Sequence, residues 1–240
     1  MFSKIYDSIL TLTYPQTCKI CEKSVENSAD GIVCEDCWEK TRIFIGNEIL
    51  CRKCGAFLKE QTANFNTNCQ RCTEDFYDQA KSCGIYENGF LTTILNLKHT
   101  PFLPKKVENI LLQTFESTEF SSATRIISVP LSRERFTERG FNQSSIIGES
   151  LAKKTNIVFD DLSLVRTLHS EKNRAGMDRK ARAESVKNAF EVKRPKLVEN
   201  EIILLVDDVF TTGATVSNCA KILKKKGASK VYVLTLARAV

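Results

Sequence analysis

From residue 201 onward the apolar positions change their period twice. Ile202, Ile203, Leu204, Leu205 and Val206 are continuous, the pattern of a strand buried on both faces in a parallel sheet covered by helices. That strand is expected to stop at Asp207. Beyond Gly213 the residues Val216, Cys219, Ala220 and Leu223 recur at helical spacing, Lys224, Lys225 and Lys226 suit the negative end of a helix dipole, and Gly227 is a natural stop. "KVYVLTLA" is a further apolar run, so residues 201 to 237 are expected to form a strand, helix, strand unit. Its loop lies at the carboxyl end of the sheet, where such folds place ligands.

The same periodicity organises the chain upstream. "KSCGIY" (81 to 86) reads as a strand, "FLTTILNLKH" (90 to 99) as a helix, and "PKKVENILLQTF" (104 to 115) as a helix with Val107, Ile110, Leu111 and Thr114 on one face. "TRIISVP" is the next strand, "LSRERFTERGFNQ" a polar, arginine-rich loop, and "NQSSIIGESLAKK" a helix capped near Asn142. Residues 162 to 168 and 189 to 193 are further strands. Alternating strands and helices predict an α/β fold with a doubly wound, mainly parallel sheet.

The loop after residue 206 carries the chemistry. Thr211, Thr212, Gly213 and Thr215 offer hydroxyls and open backbone N–H groups at a helix amino terminus, a ready anion site. It is not the nucleotide P-loop, because no lysine follows the glycine. Asp207 and Asp208 would repel a phosphate unless they face another part of the ligand, either hydroxyls that donate to them or a metal ion. A phosphorylated sugar satisfies both halves, with Mg²⁺ available if a pyrophosphate is attached. The competing reading makes the acids helix caps and the threonines turn residues, but a cap needs one acid, not two at the end of a buried strand.

Cysteine placement defines the amino-terminal region. Eight of the ten cysteines form four C-x-x-C pairs, Cys18 and Cys21, Cys34 and Cys37, Cys51 and Cys54, Cys69 and Cys72. Their separations suit zinc ribbons, so two closed, structural Zn²⁺ sites are expected, paired sequentially or crossed. Disulfides are the alternative, disfavoured in a reducing cytosol. Cys83 and Cys219 fall outside the pattern and are read as buried small hydrophobes.

Composition and charge refine this. With 240 residues and 42% hydrophobic content, the chain accommodates a medium domain and a small one, and no transmembrane span is indicated. "MFSKIYDSILTLTYP" is too interrupted by polar residues for a signal peptide, so a cytoplasmic location is expected. Residues 1 to 80, the expected zinc-binding domain, hold nine Lys or Arg against twelve Asp or Glu, whereas residues 81 to 240 hold 26 against 17. Two four-thiolate zinc centres would take the first half to a net charge of about −7. That half reads as a fold stabiliser and protein-docking surface before a nucleic-acid contact, and anions belong on the basic half.

"ILLVDDVFTTGAT" resembles the ribose-phosphate signature of the type I phosphoribosyltransferases. Through "VPLSRERFTERGFNQS", "RKARAESVKNAF" and the cysteine-rich amino terminus, nearly the whole chain resembles the ComF or GntX-like branch of that superfamily, which is linked to bacterial DNA uptake. The resemblance implies a substrate, phosphoribosyl pyrophosphate with Mg²⁺, and transfer of its phosphoribosyl group to an unidentified acceptor. It implies that Asp207, Asp208 and Arg182 carry catalysis, that Thr211, Thr212, Gly213, Ala214 and Thr215 hold the 5′-phosphate, and that Arg139 and Asn142 belong to the pyrophosphate loop. Residues 169 to 187 match the family's flexible catalytic loop. Lys98 and His99 are candidates to border the acceptor pocket, although a helix-end lysine and an exposed histidine explain them equally well. Thr211 stands where purine-salvage relatives carry an acid, which leaves open a non-catalytic sensor or scaffold that docks a DNA-uptake helicase. Direct binding of single-stranded DNA is a third reading, with Phe136 and Phe141 the aromatic candidates in the first basic loop.

Overall fold

The computed structural model describes residues 16–58, 68–167 and 189–240. Strands β1 (Gln79–Ile85), β2 (Arg125–Ser128), β3 (Val158–Asp160), β6 (Ile202–Phe210) and β7 (Lys230–Arg238) form one parallel sheet in the order β1-β7-β6-β2-β3. The apolar run of β6 serves both faces of it. Leu204 and Val206 join one buried cluster with Ile126 and Leu234, while Ile203 and Leu205 join the other with Ile127 and Val233. Helices α2 (Asn88–Leu97), α3 (Lys105–Glu116) and α5 (Gln143–Thr155) cover the first face, and α6 (Ala214–Lys225) covers the second.

Three expectations are corrected. The strand does not stop at Asp207: β6 runs through both acids to Phe210, because β7 continues beside it and pairs Thr235 with Asp207 and Arg238 with Phe210. A ladder is made by backbone groups, so a carboxylate side chain need not end it. The arginine-rich segment expected as a loop contains helix α4 (Arg133–Arg139), capped by the Ser132 hydroxyl and closed by Gly140 at φ 79°. None of its residues is buried, so no apolar period could announce it. Finally, β4 (Leu164–Arg166) and β5 (Phe190–Val192) leave the parallel sheet and pair antiparallel with each other.

The cysteine-rich segment, with its short helix α1 (Glu35–Glu39), straddles the β1 edge of the sheet. Cys18, Cys34, Cys37 and Trp38 enter the core on the α2 face, and Cys51, Cys54 and Cys72 enter it on the α6 face. Between them, residues 42 to 44 run antiparallel to β1: Phe44 N donates to the Cys83 carbonyl at 2.8 Å and Ile85 N to the Arg42 carbonyl at 2.9 Å. Gly84 permits this approach, since a Cβ there would lie 2.3 Å from the Arg42 carbonyl oxygen. Cys83 and Cys219 are fully buried, as their apolar surroundings required. Among the described residues no helix is long and apolar enough to cross a membrane.

Candidate functional site

The chain turns from β2 outward to β3 and from β6 in the other direction to β7, so a crevice opens at the carboxyl ends of β2 and β6. It is a cavity of about 410 Å³ lined by Tyr86, Lys98, Arg135, Arg139, Gln143, Ser144, Arg166, Asp207, Asp208, Thr211 and Thr215, with residues 129 to 131. Four cations thus face two carboxylates, which favours a polyanion that also carries hydroxyls or a metal. A larger cavity, about 500 Å³, lies between residues 43 to 55 and α3. It has neither paired acids nor a helix amino terminus, so it offers less recognisable chemistry.

Ser144, in the first turn of α5, donates to Asp207 Oδ1 at 2.8 Å, and the Asp208 backbone N donates to the same oxygen at 3.0 Å. Burial, with the neighbouring Asp208 carboxylate, nevertheless pushes the Asp207 carboxyl up to about 7. No side-chain cation is among the groups that set this carboxyl, so ligand hydroxyls or a divalent cation would stabilise its ionised form. The donor set therefore fits Mg²⁺ or a sugar diol. Below the acids, Gly213 caps α6 at φ 79°, and a Cβ there would approach Phe210 Cζ to 2.7 Å. Only glycine leaves this turn open.

The structure brings Asp207, Asp208, Arg139, Thr211, Thr215 and Lys98 to one cavity. Thr212 lines a neighbouring cavity, and Ala214 and His99 line neither. The Asn142 side chain is engaged locally: its Oδ1 accepts from Ser144 N at 3.2 Å and its Nδ2 donates to the Val129 carbonyl at 3.0 Å. It shapes the loop from within. Arg182 and the whole of the expected catalytic loop, residues 169 to 187, lie outside the described residues.

Sequence reasoning missed Tyr86, Gln143, Ser144 and Arg166. Gln143 is only 2% exposed, yet its Nε2 has no hydrogen-bond partner among the described residues. A buried amide in that state at a cavity wall is a donor awaiting an acceptor. The available signal was a glutamine inside the first turn of an otherwise apolar-faced helix.

The eight paired cysteines gather sequentially into Cys18, Cys21, Cys34 and Cys37, and Cys51, Cys54, Cys69 and Cys72, with the sulfurs of each group within 4.8 Å of one another. Pairs such as Cys21 with Cys34 and Cys54 with Cys69 stand 3.5 Å apart. That is far beyond the roughly 2 Å of a disulfide and near the ~3.8 Å edge of a tetrahedron with metal–sulfur bonds of about 2.3 Å. Backbone N–H groups oppose burial and hold the Cys18 thiol down to about 6 and the Cys51 thiol to about 7. Each group therefore has a thiolate ready near neutral pH.

These features define a phosphoribosyltransferase-type α/β domain joined to two cysteine clusters of zinc-ribbon type. The sequence matches the double zinc ribbon domain over residues 9–84 and the phosphoribosyl transferase domain over residues 143–239. The DNA utilization protein YhgH of Salmonella typhimurium is 30% identical over 235 residues, spanning 95% of this chain and 99% of that protein. Competence protein ComFC of Streptococcus pneumoniae is 28% identical over 221 residues, spanning 87% and 89%. The chain belongs to this ComF family of double zinc ribbon and phosphoribosyltransferase-domain proteins. Among solved structures, the glutamine phosphoribosylpyrophosphate amidotransferase from B. subtilis aligns at 17% identity and a TM-score of 0.39, over 54% of this chain and 26% of that one. That likeness is too distant to add to the assignment.

Proposed function

We propose that this protein binds phosphoribosyl pyrophosphate with Mg²⁺ and transfers its phosphoribosyl group to an acceptor. The carrying observation is the single cavity in which Asp207, Asp208, Thr211, Thr215 and Arg139 meet. The turn of residues 211 to 215 takes the 5′-phosphate, the paired acids take the ribose hydroxyls, and Arg135, Arg139 and Gln143 take the pyrophosphate. In the reaction an acceptor lone pair bonds to the anomeric carbon as its bond to oxygen breaks. That electron pair leaves on pyrophosphate, which also takes the acceptor's proton. Mg²⁺, when bound, neutralises charge on the leaving group, and Asp207 and Asp208 are the residues disposed to hold it. Arg182, from the segment like the family's catalytic loop, is assigned to the same leaving charge.

In this reading residues 1 to 80 form a domain held by two structural Zn²⁺ ions, and residues 81 to 240 form the transferase domain. The names of the relatives support a role in competence and DNA utilisation. Within this reading the protein acts in the cytoplasm, with a DNA-uptake helicase as the partner of the acidic zinc-ribbon surface and single-stranded DNA as a lesser one. Thr211, in place of an acid, favours a second reading, a sensor that binds without turnover.

Calorimetry with phosphoribosyl pyrophosphate and Mg²⁺, followed by pyrophosphate release against a panel of bases, separates the two. Transfer requires both signals, whereas binding alone identifies a sensor and no binding rejects both. Gly213→Val is expected to weaken inorganic phosphate and phosphoribosyl pyrophosphate alike by about tenfold or more, since a left-handed β-branched residue there is strained and its side chain strikes Phe210. Equal loss for both ligands in a folded variant is the result to look for. Undiminished phosphate binding would remove the turn from the site.

A further inference from the structure

The cavity of about 500 Å³ shares no lining residue with the one that holds Asp207 and Asp208. One of its walls is the cysteine-rich segment, through Ile43, Glu48 and Leu50, and the other is β1 and α3, through Lys81, Ile110 and Gln113. We propose that it binds a small monocarboxylate, a molecule with an aliphatic or aromatic body and one acid group, whose carboxylate pairs with Lys81. The inference is independent of the transferase reading above.

Lys81 is the reason for a negative head group. Side chains alternate along β1, so Lys81 stands on the α3 face with the fully buried Cys83, while Ala80 joins the core on the opposite face. At that core-facing position the lysine is half-buried. Burial lowers its ammonium below the ordinary lysine value, outweighing the favourable field of Cys51, Cys54 and Glu48. Among the described residues Nζ has neither a hydrogen bond nor an ion pair. The other polar groups of the lining are engaged. Thr114, Ser117 and Thr118 donate their hydroxyls to the α3 carbonyls of Ile110, Thr114 and Phe115 at 2.9, 3.0 and 2.8 Å. The two Glu48 oxygens accept from Ile45 N and Gly46 N at 3.0 Å each, and Arg52 faces Glu119 at 3.7 Å. Lys81 is thus the cation left to meet a ligand, and a half-buried ammonium gains from an acceptor that replaces lost water.

Size and charge narrow the class. A cavity of this volume suits a small molecule, and Ile43, Leu50 and Ile110 offer apolar contact that a bare inorganic anion cannot use. One unengaged cation, opposite Glu48 and within the field of Cys51 and Cys54, can balance one negative charge. A phosphate monoester carries about −1.5 to −2 at neutral pH, and a nucleic-acid backbone carries more, so both bring charge that nothing here meets. A carboxylate is ionised at neutral pH with a single charge and accepts readily from an ammonium. Because the two walls belong to the cysteine-rich segment and to the sheet with its helix α3, a molecule seated between them ties one to the other.

The test titrates the full, zinc-loaded chain by calorimetry with hexanoate, octanoate, benzoate and phenylpropionate, and with hexanol and hexylamine as controls of the same body without the acid. At least one carboxylate should bind with a Kd below about 1 mM, and the controls about tenfold or more weakly. Lys81→Met, which keeps the length of the side chain and removes its charge, should weaken the best carboxylate about tenfold or more and keep its zinc. Gln113→Trp, which places bulk at the cavity wall from an exposed position of α3, should weaken it similarly and gives the reading if Lys81→Met does not fold. Absence of carboxylate binding, equal binding of hexanol or hexylamine, or a folded variant that binds as tightly as the parent overturns the inference. Loss of zinc from Lys81→Met with carboxylate affinity unchanged would assign the lysine to the second cysteine cluster instead, and overturns it too.

Discussion

Stripping metal from the eight clustered cysteines with a chelator is expected to unfold the cysteine-rich segment and to shift the emission of the sole tryptophan to the red. Trp38 is 2% exposed, lies one residue from Cys37 and packs edge to face on Phe90 of α2 at 5.4 Å between ring centroids. Structural zinc supplies roughly 10 to 16 kcal/mol of apparent binding energy in isolated fingers at neutral pH. A whole domain is stable by only about 5 to 15 kcal/mol, so few effects on this chain should be larger. Elemental analysis should find about two zinc ions per chain under reducing conditions. Acid should release them as the thiolates protonate. A metal-free preparation with unshifted Trp38 emission would show that the clusters are held by packing alone.

Asp207→Asn combined with Asp208→Asn is expected to weaken phosphoribosyl pyrophosphate and spare inorganic phosphate. Hydrogen bonds to charged groups contribute about 1.5 to 3 kcal/mol each, so two lost together cost roughly a hundredfold or more in affinity after allowing for non-additivity. The pH dependence gives an independent check. The Asp207 carboxyl lies near 7, above its unfolded value, so the folded form is favoured while the group is protonated and loses that stability as pH rises from about 4 through 7. The ligand needs the ionised form. Its affinity for the parent should therefore rise through pH 7, and the double variant should lose that dependence. Calorimetry at several pH values with both ligands decides it. Unchanged binding by the variant would return the acids to the role of caps.

How far these features were legible depended on whether burial imposes a period. The β6, α6, β7 unit was readable because apolar residues must serve two faces of a sheet and one face of a helix, and the cysteine clusters because tetrahedral ligation fixes a spacing. Helix α4 was not readable, since it buries none of its residues and its formation rests on the Ser132 cap and local propensity. The extension of β6 through Asp207 depended on β7, a partner no local pattern reveals. Site residues divided similarly. The acids and threonines sit in one continuous motif, whereas Tyr86, Ser144 and Arg166 come from three separate parts of the chain that only the fold assembles. Adjacency in the motif also misled, because Thr212 lines a neighbouring cavity.

The antiparallel contact of residues 42 to 44 with β1 has a consequence for the life of the protein in the cell. An uncovered sheet margin is a template on which another chain can add, and here the cover belongs to the segment whose folding depends on the cysteine clusters. A newly made copy that has not yet acquired its ions would carry an adhesive border. Metal scarcity should therefore be recorded as insoluble material and chaperone demand during synthesis, with the soluble remainder carrying its full complement of metal.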